Sequence, residues 1–251
     1  MMENNIIIEI AAFTPTAAIM AAQAGAGRIE LCAGYAEGGL SPSSGSITLV
    51  RKEINIPLHV MVRPRPGDFI YTEIEKEAIL QDIEFCQQAG ANGIVFGALT
   101  PQGSIDILFT KKVMEKAKGL SVTFHRAFDL CADLTSALNQ LIDCGVHRVL
   151  TSGGKSSALS AKKEIAQLVQ CADGKIIILP GGGLTPENIL DFVKATNVSE
   201  IHFSGKKLTK SLLQRLPGVN LTCEGEVNDT QWYEVDPEKI IQMKKLLKKS
   251  G

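Results

Sequence analysis

The stretch Ala24-Gly25-Ala26-Gly27-Arg28-Ile29-Glu30-Leu31-Cys32 decides the fold. Glycine just past a helical pattern ends the helix, because it alone enters the left-handed region without steric cost. The run that follows alternates polar and apolar residues, the period-2 pattern of a strand. The same step returns at Ala89-Gly90 and Cys144-Gly145-Val146, each time ahead of another β-rich run. Working outward, strands read at Ile6–Ala11, Arg28–Cys32, Leu58–Arg63, Gly93–Phe96, Ser121–His125, His147–Thr151, Lys175–Leu179 and Glu200–Phe203. Helical patterns separate them. Thr14-Pro15 and Thr185-Pro186-Glu187 offer an N-cap followed by proline at the first helical position. Repeated βα units with no linker over residues 6–205 predict an α/β chain, a single-domain (β/α)₈ TIM barrel. The length of 251 residues suits that fold. Residues 206–235 read as polar and irregular, and Asp236-Pro237-Glu238 opens a last helix through Leu247.

Composition narrows the partners. A net charge of −1 and 21% charged residues give no attraction to nucleic acid or to a membrane surface. The N-terminus lacks a signal-peptide pattern, and no apolar run is long enough to span a bilayer. Six cysteines, at 32, 86, 131, 144, 171 and 223, form no CxxC pair. That usage suits reduced thiols and a cytoplasmic location. Cys86, Cys144 and Cys171 fall on helices or their ends and read as buried packing residues. The pattern leaves room for a homo-oligomer and does not specify one.

Strand parity locates the site. Ile29, Leu31, Val60, Val62, Ile94, Phe96, Val122, Phe124, Ile201 and Phe203 share one parity and are expected under the helices. The opposite parity carries Arg28, Glu30 and Cys32, then His59, Met61 and Arg63, then Thr123 and His125, then Glu200, His202 and Ser204. A barrel interior is normally aliphatic, and unpaired charge there costs several kcal/mol per ion. A polar parity on four strands therefore points to a site at the C-terminal mouth, or to an Arg–Glu network that plugs the barrel. In Thr123-Phe124-His125-Arg126-Ala127-Phe128-Asp129 the imidazole can exchange protons and Asp129 can orient it, with a packed core histidine as the alternative. Glu30, His125 and Asp129 are the catalytic candidates.

Arg63 and Arg65, on the proline-stiffened loop Arg63-Pro64-Arg65-Pro66, form an anion clamp or else a solvated loop. Arg126 would help them. The turns holding Ser152-Gly153-Gly154, Gly181-Gly182-Gly183 and Ser204-Gly205 follow the last strands, where barrels often hold phosphate, and His202 lies beside them. A small anionic ligand is thus expected, phosphorylated or carboxylated, with Ser152, Gly153, Gly181, Gly182 and His202 among its contacts. For soft metals only Cys32, Met61 and Cys131 are near the mouth.

Together these stretches resemble the copper homeostasis protein CutC family. The resemblance rests on Arg28–Cys32, Glu37-Gly38-Gly39-Leu40-Ser41-Pro42, His59–Arg65, Gly67-Asp68-Phe69, Thr123–Asp129, Arg148–Gly153 and Pro180–Gly183, with a looser echo at Trp232–Asp236. It implies a barrel, a cytoplasmic location, a copper-related role, and a shared mouth containing Glu30, Arg63, Arg65, His125, Arg126 and Asp129. It also implies Cu(I) as the one cofactor, with Cys32 as its thiol. Two features depart from the family pattern. Ala11 and Ala12 stand where relatives often carry cysteine, and His202-Phe203-Ser204-Gly205-Lys206-Lys207 replaces a His-x-Ser-Ala-Arg-like stretch. One thiol is a poor Cu(I) site. Beside the copper role stands a metal-independent enzyme acting on a small anionic metabolite, and a third reading is a barrel that only binds.

Overall fold

The computed structural model describes residues 6–213 and 228–248. Eight strands, β1 (Ile7–Ala12), β2 (Arg28–Leu31), β3 (Leu58–Met61), β4 (Gly93–Phe96), β5 (Ser121–Phe124), β6 (Arg148–Thr151), β7 (Ile177–Pro180) and β8 (Glu200–Phe203), are parallel and nearly close a barrel. The ladder runs β7-β6-β5-β4-β3-β2-β1-β8, and β7 and β8 pack side by side at the remaining seam. Helices α1 (Pro15–Gln23), α2 (Ser44–Glu53), α3 (Glu73–Gln88), α4 (Ile107–Lys116), α5 (Leu134–Asp143), α6 (Lys162–Ala172), α7 (Ile189–Thr196) and α8 (Pro237–Lys248) form the outer layer.

Local chemistry sets the helix ends. Thr14, Ser43, Thr72, Asp106 and Asp133 each accept a backbone N–H at the start of α1 to α5, and Thr72 with Glu75 completes a capping box. Gly25, Gly90 and Gly145 take positive φ just past α1, α3 and α5, as the Ala-Gly and Cys-Gly steps require. Thr185 does not cap α7. Its backbone N–H donates to Asn188 Oδ1, and the helix begins at Ile189, so the Thr-Pro-Glu device here makes a turn. The apolar parity expected under the helices is buried throughout.

Residues 206–235 differ from the irregular segment expected. Their described parts form an antiparallel hairpin, β9 (Lys206–Lys210) with β10 (Gln231–Val235), pairing Trp232 with Thr209 and Tyr233 with Leu208. It is tied to the barrel rim where Glu234 accepts from Thr14 Oγ1 at 3.1 Å and Asp236 N donates to Gly205 O at 2.7 Å. Lys206 Nζ lies 4.0 Å from the centre of the Tyr233 ring and donates to the Tyr35 hydroxyl. Cys86 is buried as expected, Cys144 is half-buried, and Cys171 is exposed, because its face of α6 points to solvent. Cys223 lies outside the described residues.

β4 is the strand that makes space. A Cβ on Gly93 would sit 2.6 Å from both His59 Nε2 and the Ser121 carbonyl, and one on Gly97 would sit 2.5 Å from the His125 ring. The imidazoles of the flanking strands therefore occupy room that any larger residue would take. Gly93→Ala is expected to destabilise by about 1–3 kcal/mol through overpacking against backbone. Gly45→Ala on α2, where nothing lies within 4 Å, is expected to stabilise by up to about 1 kcal/mol. Urea unfolding of the two variants checks both signs.

Candidate functional site

The floor of the site is an ion network inside the barrel. Glu9 on β1 is fully buried, and its register partner across to β2 is Arg28. Arg28 Nε donates to Glu9 Oε2 at 2.5 Å and Nη2 to Glu200 Oε2 at 2.5 Å. Arg148 on β6 grips the same Glu200 in a fork, Nε to Oε2 at 2.6 Å and Nη2 to Oε1 at 3.0 Å, and reaches Ser121 and Thr123. Two guanidiniums thus face two carboxylates. Burial alone would raise the Glu200 pKa, but its bonds to Arg148 and Arg28 bring it below the ordinary carboxylate value. Glu9 follows the same logic: burial opposes its charge, and the His202 hydrogen bond and Arg28 overcome it. The sequence reading left out Glu9 and Arg148. Their signal was a carboxylate in the apolar run Ile6–Ala11 and an arginine at the foot of a strand, each needing an internal partner.

Above this floor lies the pair that can exchange a proton. His202 Nδ1 is 2.8 Å from Glu9 Oε1, and Nε2 is 3.9 Å from Glu30 Oε2. Since Glu9 is held as a carboxylate, the Nδ1 proton belongs on His202. Burial lowers the His202 pKa, but Glu30 and Glu9 on its two sides outweigh this and raise it. Glu30 is 3% exposed, and burial raises its pKa. Its Oε1 has no protein partner, while Oε2 accepts from the Cys32 thiol at 3.5 Å. Gly181 leaves space here, because a Cβ would stand 3.2 Å from His202. Donor atoms of Glu9, Glu30 and His202 lie within 4.8 Å of one another. Both Glu9 oxygens are already committed to Arg28 and His202, so the trio is organised around the Glu9–His202 hydrogen bond, with Glu30 facing the other ring nitrogen across 3.9 Å.

The remaining sequence candidates are dispersed around the rim. His125 does not meet Asp129: its Nδ1 accepts from Ala127 N at 3.1 Å, and its Nε2 has no protein partner. Asp129 instead turns to the β6 loop, accepting from Ser152 N, Gly154 N and the Thr151 and Ser152 hydroxyls. Its carboxylate thus fills the amide nest read as an anion seat, and Gly153 N donates to Thr151 Oγ1. Arg126, at the start of a 3-10 turn (Arg126–Leu130), is half-exposed and pairs with Asp129 at 2.9 Å. Arg65 is spent on Glu75 at 2.5 Å, on Asp68, and on loop carbonyls. Arg63 holds the carbonyls of Glu37, Gly39 and Gly67. These two arginines brace loops and do not form a paired clamp. Gly182 offers its carbonyl to Ala158 N and Ser157 Oγ. Burial, then the charges of Glu30 and Glu9, push the Cys32 thiol pKa well up, which disfavours a thiolate.

Comparison with known proteins identifies relatives. The model of the CutC family matches residues 6–207. A CutC family protein of Bacteroides fragilis is 45% identical over 209 residues, covering 83% of each chain. One of Parabacteroides distasonis is 42% identical over 236 residues, covering 93% of this chain and 97% of that one. A solved Streptococcus agalactiae protein, named as a copper homeostasis protein CutC, superposes with a TM-score of 0.75 at 32% identity. It covers 78% of this chain and 97% of its own. Thiamine phosphate pyrophosphorylase of Pyrococcus furiosus, 11% identical with a TM-score of 0.58 over 98% of this chain and 97% of its own, shares the fold alone. No helix among the described residues is long and apolar enough to cross a membrane.

The buried imidazoles make stability depend on pH. Burial holds His59 at a pKa of about 3, and burial with the Arg63 charge holds His125 at about 3. Both bind a proton near 6.5 when unfolded. Their contribution is therefore complete above that value and is lost as pH falls toward about 3, at roughly 1.4 kcal/mol per pH unit for each. His202, with its raised pKa, acts oppositely, contributing below its unfolded value and losing that contribution as pH rises through its folded one. Urea midpoints between about pH 4.5 and 7 are expected to fall with acid, and His59→Gln is expected to remove one histidine's share of the slope. Equal slopes in the two proteins would show that His59 is not buried neutral.

Proposed function

The chain belongs to the CutC family, and from that premise we propose that it is a barrel enzyme moving a proton on a small anionic metabolite through Glu30 and His202. One observation carries this reading: a largely enclosed, 14% exposed imidazole held between two carboxylates, 2.8 Å from Glu9 and 3.9 Å from Glu30, with Glu30 Oε1 unpaired. Glu9, fixed by Arg28, accepts from Nδ1 and orients the ring, which leaves Nε2 to give or take a proton toward the mouth. Glu30 is the reciprocal partner, and burial raises its pKa above the ordinary carboxylate value, which suits a carboxyl that gains and loses a proton. His125, bonded to Ala127 and apart from Asp129, is not the base in this scheme.

A second reading, cytoplasmic copper handling, is favoured by a thiol and a thioether side by side. A Cβ on Gly39 would meet Met61 Cε at 3.3 Å and Cys32 Sγ at 3.5 Å. Cu(I) prefers such soft donors. A single thiol with a raised pKa makes the binding weak. Competition against a Cu(I) chelator is expected to show low affinity that falls further in Cys32→Ser. Tight binding that survives this substitution would contradict the assignment.

For the enzyme reading, small carboxylic and phosphorylated metabolites are incubated with the protein in D₂O, and loss of substrate C–H signals is followed by proton NMR. The wild type is expected to exchange at least one of them, with Glu30→Gln and His202→Gln slower by about 10²–10⁴-fold. Exchange that is equally fast in both variants would overturn the proposal.

A further inference from the structure

On the β3–β5 side of the mouth, Arg63, Tyr71 and His125 are each more than nine-tenths buried, and each keeps a polar side-chain atom without a protein partner. The atoms are Arg63 Nε, the Tyr71 hydroxyl oxygen and His125 Nε2. All three are donors. His125 Nδ1 accepts from Ala127 N–H, so the ring proton sits on Nε2. Its pKa of about 3 keeps it neutral, and a pKa of about 12 keeps Tyr71 protonated. Arg63 cannot swing away, because Nη1 and Nη2 are bonded to three loop carbonyls. The groups share one neighbourhood. Phe69 lies 4.8 Å from the guanidinium and 4.7 Å from the imidazole, and the Tyr71 hydroxyl sits beside the same guanidinium. Burying several unpaired donors is costly, because each loses its water and gains nothing in return. One acceptor bearing negative charge would satisfy them together.

We propose that Arg63 Nε–H, Tyr71 O–H and His125 Nε2–H hold the carboxylate of the substrate on which Glu30 and His202 act. This rests on the acid–base reading above and adds the substrate class, a small carboxylic acid. It also gives His125 the role of a neutral donor in place of a base. Carboxylate fits better than phosphate for two reasons. The cluster offers one fixed cation and three donors, few for a dianion with three or more oxygens. The amide nest after β6 that would seat a phosphate is filled by the carboxylate of Asp129. Phe69 supplies an apolar wall, which strengthens each charge-assisted bond.

The test uses the full-length ¹⁵N-labelled protein and pyruvate as the probe, with inorganic phosphate in a parallel titration. Pyruvate is expected to shift the Arg63 Nε–H and His125 Nε2–H resonances saturably, while Arg65 Nε–H stays in place. Arg63→Lys and His125→Phe are expected to weaken pyruvate binding by about tenfold or more, and Arg65→Lys to leave it unchanged. Phosphate that shifts the same resonances at lower concentration would overturn the carboxylate assignment. Absence of any saturable shift with pyruvate in the wild type would overturn the site itself, without needing a variant to fold. Failure of the acid–base reading would look different: pyruvate would still shift these resonances, while Glu30→Gln and His202→Gln left deuterium exchange untouched.

Discussion

Arg28, buried between Glu9 and Glu200 at 2.5 Å from each, is the interaction on which the rest of the barrel interior depends. Charge removed from water costs several kcal/mol per ion unless it is paired and hydrogen-bonded. The network meets that condition by sharing: Glu200 serves both Arg28 and Arg148, and Glu9 serves both Arg28 and His202. Losing one member would leave a charge stranded, typically at about 3–5 kcal/mol. An aliphatic floor would hold the barrel as well. What the ions add is orientation. Arg28 fixes which way Glu9 points, and Glu9 fixes the His202 ring with its proton on Nδ1, which leaves Nε2 facing Glu30.

The interior therefore changes character from floor to mouth. Below, two arginines balance two carboxylates, and both Glu9 and Glu200 are held as anions. Above, Glu30 and His202 face each other 3.9 Å apart with both pKa values raised. Such a pair can hold one proton in either of two places. His59, whose Nδ1 lies 4.0 Å from Glu9, and His125 stay neutral, each lodged in space that glycines of β4 and its following residue leave open. The chain thus carries imidazoles in two electrostatic states within one barrel, set by carboxylates around His202 and by their scarcity around His125.

Much of this was legible in the sequence. The Ala-Gly steps, the caps and the apolar parity specify the barrel because they are local or periodic, and Glu30 and His202 stood on the polar parity. Glu9 was hidden because a single carboxylate in Ile6–Ala11 does not reveal which face it takes without its partner. Arg148 was hidden among motif residues for the same reason. Asp129 was misdirected toward His125 since sequence proximity cannot see the β6 amides, which present a better anion seat. The arginines of the Arg63-Pro64-Arg65 loop looked free, because loop carbonyls that accept from guanidinium carry no sequence signature. The β9–β10 hairpin escaped notice since its lysines mask the alternation and its strands are separated by a long intervening segment.

A pH titration of the four histidine side chains by long-range ¹H–¹⁵N correlation between about pH 5 and 8 reads the Glu9–His202–Glu30 arrangement directly. His202 is expected to keep its Nδ1 proton throughout and to titrate above the ordinary histidine value, while His59 and His125 remain neutral, with the His125 proton on Nε2. A His202 that loses its Nδ1 proton, or that titrates below the ordinary value, would contradict the arrangement on which the functional reading stands.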